Sequence, residues 1–138
     1  MGINRVTICA STSFSREAQD WKVCLEGMGY EILRVPTPIS SEQGYEQAYR
    51  RHHESIASSD LVFVMNLDKN GVQGYIGPGV LGEIAFAIGL NVVLGKKIRI
   101  CCLKDIPSGL SYSDELKRWE RLGWIEKWSG GKKRVGIS

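Results

Sequence analysis

Apolar and polar positions alternate along the chain in blocks that predict secondary structure. Residues 5–10 (RVTICA) form a short run of strand character, and residues 14–28 place Phe14, Ala18, Trp21, Leu25 and Met28 at helical spacing before Gly29 stops the helix. Residues 30–35 (YEILRV) predict a second strand, closed by Pro36 and Pro38. Tyr45, Tyr49, His52 and Ile56 recur at helical spacing within 41–58. Residues 61–66 (LVFVMN) are continuously apolar up to Asn66, as in a central parallel strand covered on both faces. A glycine-rich loop over 67–79 precedes a third helix from about 80 to 94, stopped by Gly95. Residues 97–103 (KIRICCL) predict a fourth strand, 113–122 a charged helix, and 123–128 a last short strand.

Strands and helices that alternate in this order predict a parallel sheet with helices on both faces. The expected fold is a single α/β domain, a flavodoxin-like or Rossmann-like three-layer arrangement of about five strands, spanning residues 1–130. Residues 131–138 are expected to be a disordered basic tail. In such folds ligands bind beyond the carboxyl ends of the strands. That edge should hold residues 9–15, 36–40, 66–80 and 103–112.

Composition narrows the function. The 138 residues are 43% hydrophobic and 24% charged, which fits one soluble domain. A net charge of +3, with no basic cluster interleaved with aromatics, argues against nucleic acid as a partner. Residues 80–94 are too short to span a bilayer and contain Glu83, so no membrane partner is expected. The four cysteines form no CxxC pair, and the N-terminus lacks a secretory pattern. A cytoplasmic protein with reduced thiols, and neither metal site nor disulfide framework, is the expectation. His52 and His53 are adjacent and cannot share one helical face, so they make no metal pair and are expected at the surface or at an interface.

Glu83 is the one residue charged at neutral pH between Lys69 and Lys96. A carboxylate in an apolar helix is costly unless it is paired or faces a cleft. The spacing places it in the first turn of its helix, where free N–H groups and the dipole favour the ionised form. Five of the 16 glycines lie between 71 and 82, where backbone can approach a ligand closely. Such a carboxylate suits nucleophilic attack on a sugar carbon, with a glycosyl ester as intermediate. The turn after the first strand, Ser11-Thr12-Ser13-Phe14-Ser15, offers hydroxyls for a phosphate, carboxylate or sugar, or for capping the next helix.

With these residues in view, the chain resembles the nucleoside 2-deoxyribosyltransferase-like family. The resemblance covers about residues 5–116, and its most specific block is SIASSDLVFVMNLDKNGVQGYIGPGVLGEIAFAIGL at 55–90. It implies transfer or hydrolysis at the N-glycosidic bond of a (deoxy)nucleoside or nucleoside monophosphate, with Glu83 as nucleophile. It implies substrate contacts at Ser11, Ser13, Phe14, Asn66, Tyr75, Gly77 and Gly79. It also implies no cofactor and a homo-oligomer, with Tyr45, Tyr49 and the third helix as interface faces. Where transferases of the family carry an aspartate six residues before the nucleophile, this chain has Gly77. The acid that protonates the leaving base then comes from Asp68, from a neighbouring chain, or from neither. Asp68 is equally a turn former in Asp68-Lys69-Asn70-Gly71. A non-catalytic nucleotide-binding module of the same fold is the alternative.

Overall fold

The computed structural model describes residues 4–39 and 41–131. The basic tail expected over 131–138 lies outside the described residues beyond Gly131. The chain runs β1 (Arg5–Cys9), α1 (Ser15–Gly27), β2 (Glu31–Arg34), α2 (Glu42–Ala57), β3 (Leu61–Val64), α3 (Pro78–Leu94), β4 (Arg99–Cys102), α4 (Ser113–Arg121) and β5 (Glu126–Lys127). All five strands are parallel, in the order β2-β1-β3-β4-β5. That is the flavodoxin-like order, in which ligands bind where the order reverses. Here the reversal falls between β1 and β3, and the register aligns Cys9 with Val64 and Val64 with Cys102.

The burial of β3 explains its unbroken apolar run. All four of its residues are buried, because each face of the sheet has its own core. On one face Ala18, Trp21 and Leu25 of α1 pack on Val6, Ile8 and Phe63, with the Trp21 and Phe63 rings 4.9 Å apart. On the other, Ile56 of α2, Ile84 and Ala87 of α3 and Leu116 of α4 pack on Val62, Val64 and Ile100. Trp119 and Trp128 are partly buried against these two cores, one against each, whereas Trp124 is exposed. Asp60 sits at the amino edge, away from the ligand edge, where its carboxylate accepts from the Arg5 N–H at 2.8 Å.

α3 begins two residues earlier than the spacing predicts. Gly77 is the residue before its first turn, and Pro78 takes the first helical position, where its fixed φ is already helical and its missing N–H is not needed. Glu83 therefore lies in the second turn, beyond the free N–H groups at the helix start. The expected dipole support does not reach it, since the effect fades within one turn. α3 ends at Gly95, whose φ of +71° lets its N–H and that of Lys96 cap the last carbonyls, at 3.1 and 3.2 Å.

The loop between β3 and α3 is built rather than loose. Lys69 and Val72 exchange two backbone hydrogen bonds, and Asn70 and Gly71 between them have φ of +55° and +75°. That is a tight hairpin turn of the Asn-Gly type. Further along, a Cβ on Gly74 would come within 2.6 Å of the Asp105 carbonyl. The close approach that Gly74 permits is to the protein's own β4–α4 loop, not to a ligand.

Candidate active site

Glu83 faces a cleft above the reversal point. Two lobes, of about 150 and 300 Å³, meet there and share Ala10, Thr12, Gly79 and Glu83 as walls. The larger lobe adds Ser11, Lys69, Tyr75 and Gly77, and the smaller adds Arg34, Tyr45, Tyr49 and His52. Glu83 is the one carboxylate among the lining residues of either lobe. Its side chain is 20% exposed, and its Oε1 is shielded from solvent.

His52 stands beside it. Its Nε2 lies 3.2 Å from Glu83 Oε1, but that oxygen accepts no hydrogen bond. The ring nitrogen bonds Cys9 Sγ instead, at 3.4 Å. Burial, and then the Glu83 carboxylate, push the Cys9 thiol well above its ordinary pKa, so it stays protonated. Of the surface or interface placement expected for the two histidines, the surface alternative is incorrect, because both are buried within the chain. α2 packs against α3 as well as the sheet, so its buried arc is wide enough for two adjacent positions. His53 stacks on Tyr49 with centroids 3.8 Å apart and meets Phe86 edge-on.

Two cations flank the carboxylate. Lys69 Nζ donates to Ser11 Oγ at 2.8 Å and lies 5.6 Å from the centre of the Tyr75 ring. Arg34 ends β2 at the carboxyl edge, and its Nε is buried with no hydrogen-bond partner. Neither cation pairs with a carboxylate among the described residues.

The residues expected to bind substrate divide into two groups. Ser11, Tyr75, Gly77 and Gly79 line the cleft with Glu83. Ser13, Phe14 and Asn66 are not among the lining residues of either lobe. Ser13 Oγ bonds Ser11 Oγ at 2.9 Å, and Phe14 packs on the α1 side of the core. Asn66 is buried and ties the β3 loop to residues 104–105. At Gly77 the backbone would tolerate a side chain, but a Cβ there would meet the Tyr75 ring and hydroxyl at 3.2 Å. Tyr75 occupies the space into which an aspartate at this position would project.

Asp68 belongs to a different hollow, of about 830 Å³, over the β3 and β4 loops. The Gly74 N–H donates to it at 2.9 Å and Lys104 Nζ at 3.2 Å, and these hold its carboxyl below the usual carboxylate range. Lys127 pairs with Asp105 at 2.9 Å, so the charges lining this hollow largely cancel.

His52, Arg34 and Lys69 are the functional candidates that sequence reasoning did not single out. The shared helical spacing of His52 with the buried Ile56 is the signal that could have found it, and a position at the carboxyl end of the second strand is the one for Arg34. No helix among the described residues is long and apolar enough to cross a membrane. No family model matches the chain, and no curated protein matches it by sequence.

Proposed function

We propose that the protein breaks the N-glycosidic bond of a nucleoside or nucleoside monophosphate, deoxyribosyl substrates included, and passes the sugar through Glu83 to water or to a second base. The observation that carries this reading is the placement of Glu83. It is a shielded carboxylate, the only one among the described residues lining a cleft at the reversal point of a parallel sheet, with turn hydroxyls on one side and cations on both. The resemblance of residues 55–90 to the nucleoside 2-deoxyribosyltransferase-like family supports it independently.

The chemistry follows from the placement. One Glu83 oxygen attacks the anomeric carbon as the carbon–nitrogen bond breaks. The bond's electron pair leaves with the base, which takes up a proton, and the sugar is held as an ester on Glu83. Water or another base then attacks the same carbon and frees the carboxylate. Asp68 is held ionised outside the cleft, so it has no proton to give. The Tyr75 hydroxyl, on the cleft wall where the family's aspartate would project, is the donor this reading assigns. Tyr75→Phe should lower kcat by roughly 10²-fold, within the usual range for one acid group, while KM changes by less than about threefold. Equal loss in kcat and KM, or no loss, would remove Tyr75 from that role.

Lys69, unpaired and bonded to Ser11, suits a 5′-phosphate. The test is a panel of nucleosides and their 5′-monophosphates, with and without a free second base, analysed for released base and exchanged product. Release of base, faster from monophosphates, is the expected result, and Lys69→Met should erase the preference for phosphate. Exchange would identify a transferase and release alone a hydrolase. A non-catalytic binding module has one observation in its favour, that no second carboxylate lines the cleft among the described residues. Ligand binding with no turnover across the panel would establish that reading and overturn ours.

A further inference from the structure

Three side chains from three elements converge behind the cleft: Cys9 at the end of β1, His52 in α2 and Glu83 in α3. His52 Nε2 lies 3.4 Å from Cys9 Sγ and 3.2 Å from Glu83 Oε1. All three donor atoms fall within 4.8 Å of one another. No sequence motif announces them, because they are scattered over 75 positions, from 9 to 83.

A ring nitrogen has one proton or one lone pair to offer. Here two partners compete for it, and Cys9 takes it. Glu83 Oε1 is left shielded and without a hydrogen bond, a condition rare among buried polar atoms and one that a catalytic role or a bound ion accounts for. The spacings also differ from those of a proton-shared pair. A charge-assisted N–H to carboxylate contact closes to about 2.7–2.9 Å. Around a tetrahedral zinc, with bonds of about 2.3 Å to sulfur and about 2.0–2.2 Å to nitrogen and oxygen, neighbouring donors stand about 3.3–3.6 Å apart. The two measured edges fall close to that range.

The donor set selects the ion. A thiolate, an imidazole and one carboxylate suit a borderline transition ion and not magnesium or calcium, which prefer all-oxygen shells. Cys9 is fully buried, whereas His52 and Glu83 keep 11% and 20% of their side chains exposed. A fourth coordination position would therefore face the cleft. We propose that Cys9, His52 and Glu83 form a binding site for a borderline divalent ion such as Zn²⁺, with its open position toward the cleft. Binding displaces the Cys9 proton to solvent, so sulfur bonds the metal as thiolate. Given the function proposed above, the same ion ties up the nucleophile, so metal binding and glycosyl transfer exclude one another.

The test titrates the full-length, reduced, chelator-treated protein with Co²⁺ alone, followed by the cobalt–thiolate charge-transfer band, and with Zn²⁺ by calorimetry. One ion per chain and a thiolate band are expected. Cys9→Ser should abolish the band. His52→Gln and Glu83→Gln should each weaken Zn²⁺ about tenfold or more, with circular dichroism verifying that each remains folded. Cys101→Ser should change neither readout. A band that survives Cys9→Ser, Zn²⁺ affinity unchanged in the folded His52→Gln variant, or no binding at all would overturn the proposal. The two readings fail separately. A protein that binds Co²⁺ as described but cleaves no nucleoside keeps the metal site and loses the proposed function. One that cleaves nucleosides and binds no ion does the reverse.

Discussion

Glu83→Gln is expected to lower kcat/KM for base release by roughly 10⁴-fold or more, the scale of losing a covalent nucleophile, while the melting temperature stays unchanged or rises. The amide is nearly isosteric with the carboxylate, so the walls of the cleft keep their shape. What it removes is the negative charge that attacks the anomeric carbon. In the folded state it neutralises a shielded carboxylate whose Oε1 accepts no hydrogen bond and which raises the pKa of the neighbouring thiol. Residues held for function at such a cost to the fold commonly gain stability when neutralised. A structural partner of His52 would behave in the opposite way, with stability falling and turnover largely kept. Base release by chromatography, beside a thermal melt of the same sample, reads both. Wild-type turnover in Glu83→Gln would assign the nucleophile to another group.

The layout of the sheet was legible because it depends on local pattern. An unbroken apolar run such as 61–65, short and rich in valine, fits a strand covered on both faces, and β3 is one. The helix stop at Gly95 was equally legible, since a residue at φ of +71° there is best supplied by glycine. The start of α3 was less so. Pro78 and Gly79 look like loop residues until the chain is seen to use the proline's fixed φ as its first helical turn. That shift of two residues changes the physics of the site. Glu83 is held not by a helix start but at the meeting of α3, α2 and β1.

Tertiary placement decided the rest. The sequence left His52 at the surface or an interface, and only the fold shows it turned inward beside Glu83. The crowding of glycines before Glu83 pointed to close contact with a ligand. In the fold those glycines serve separate ends: Gly71 makes a turn, Gly74 admits the Asp105 carbonyl, and Gly79 leaves open space in the cleft wall. Asn66 illustrates the same limit. A polar residue ending a central strand at the ligand edge fits a substrate contact, yet its amide is committed to the protein backbone.

That commitment yields a prediction of comparable size. Asn66 is 2% exposed, and its Oδ1 accepts the Lys104 N–H at 2.9 Å. Its Nδ2 faces the carbonyls of Lys104, Asp105 and Gly74 at 3.1, 3.3 and 3.3 Å. Asn66→Ala leaves one part-buried N–H and at least two carbonyls without their partner, which costs about 2–4 kcal/mol in all. For a domain of this length that is a drop in melting temperature of about 10 °C. Asn66→Asp should be worse at neutral pH, because it sets a carboxylate against three carbonyl oxygens. Its folded-state pKa is then raised above the unfolded value, since the protonated form can donate to those carbonyls. The penalty is accordingly full above the folded pKa and shrinks as pH falls toward the unfolded one. Turnover should suffer in both variants through KM, because the loosened loop carries Tyr75 and Gly77 into the cleft. Urea melts between pH 4 and 8 with kinetics on the same variants separate the two roles. A substrate-contact residue would lose turnover with its melting temperature intact, and that outcome would return Asn66 to the site.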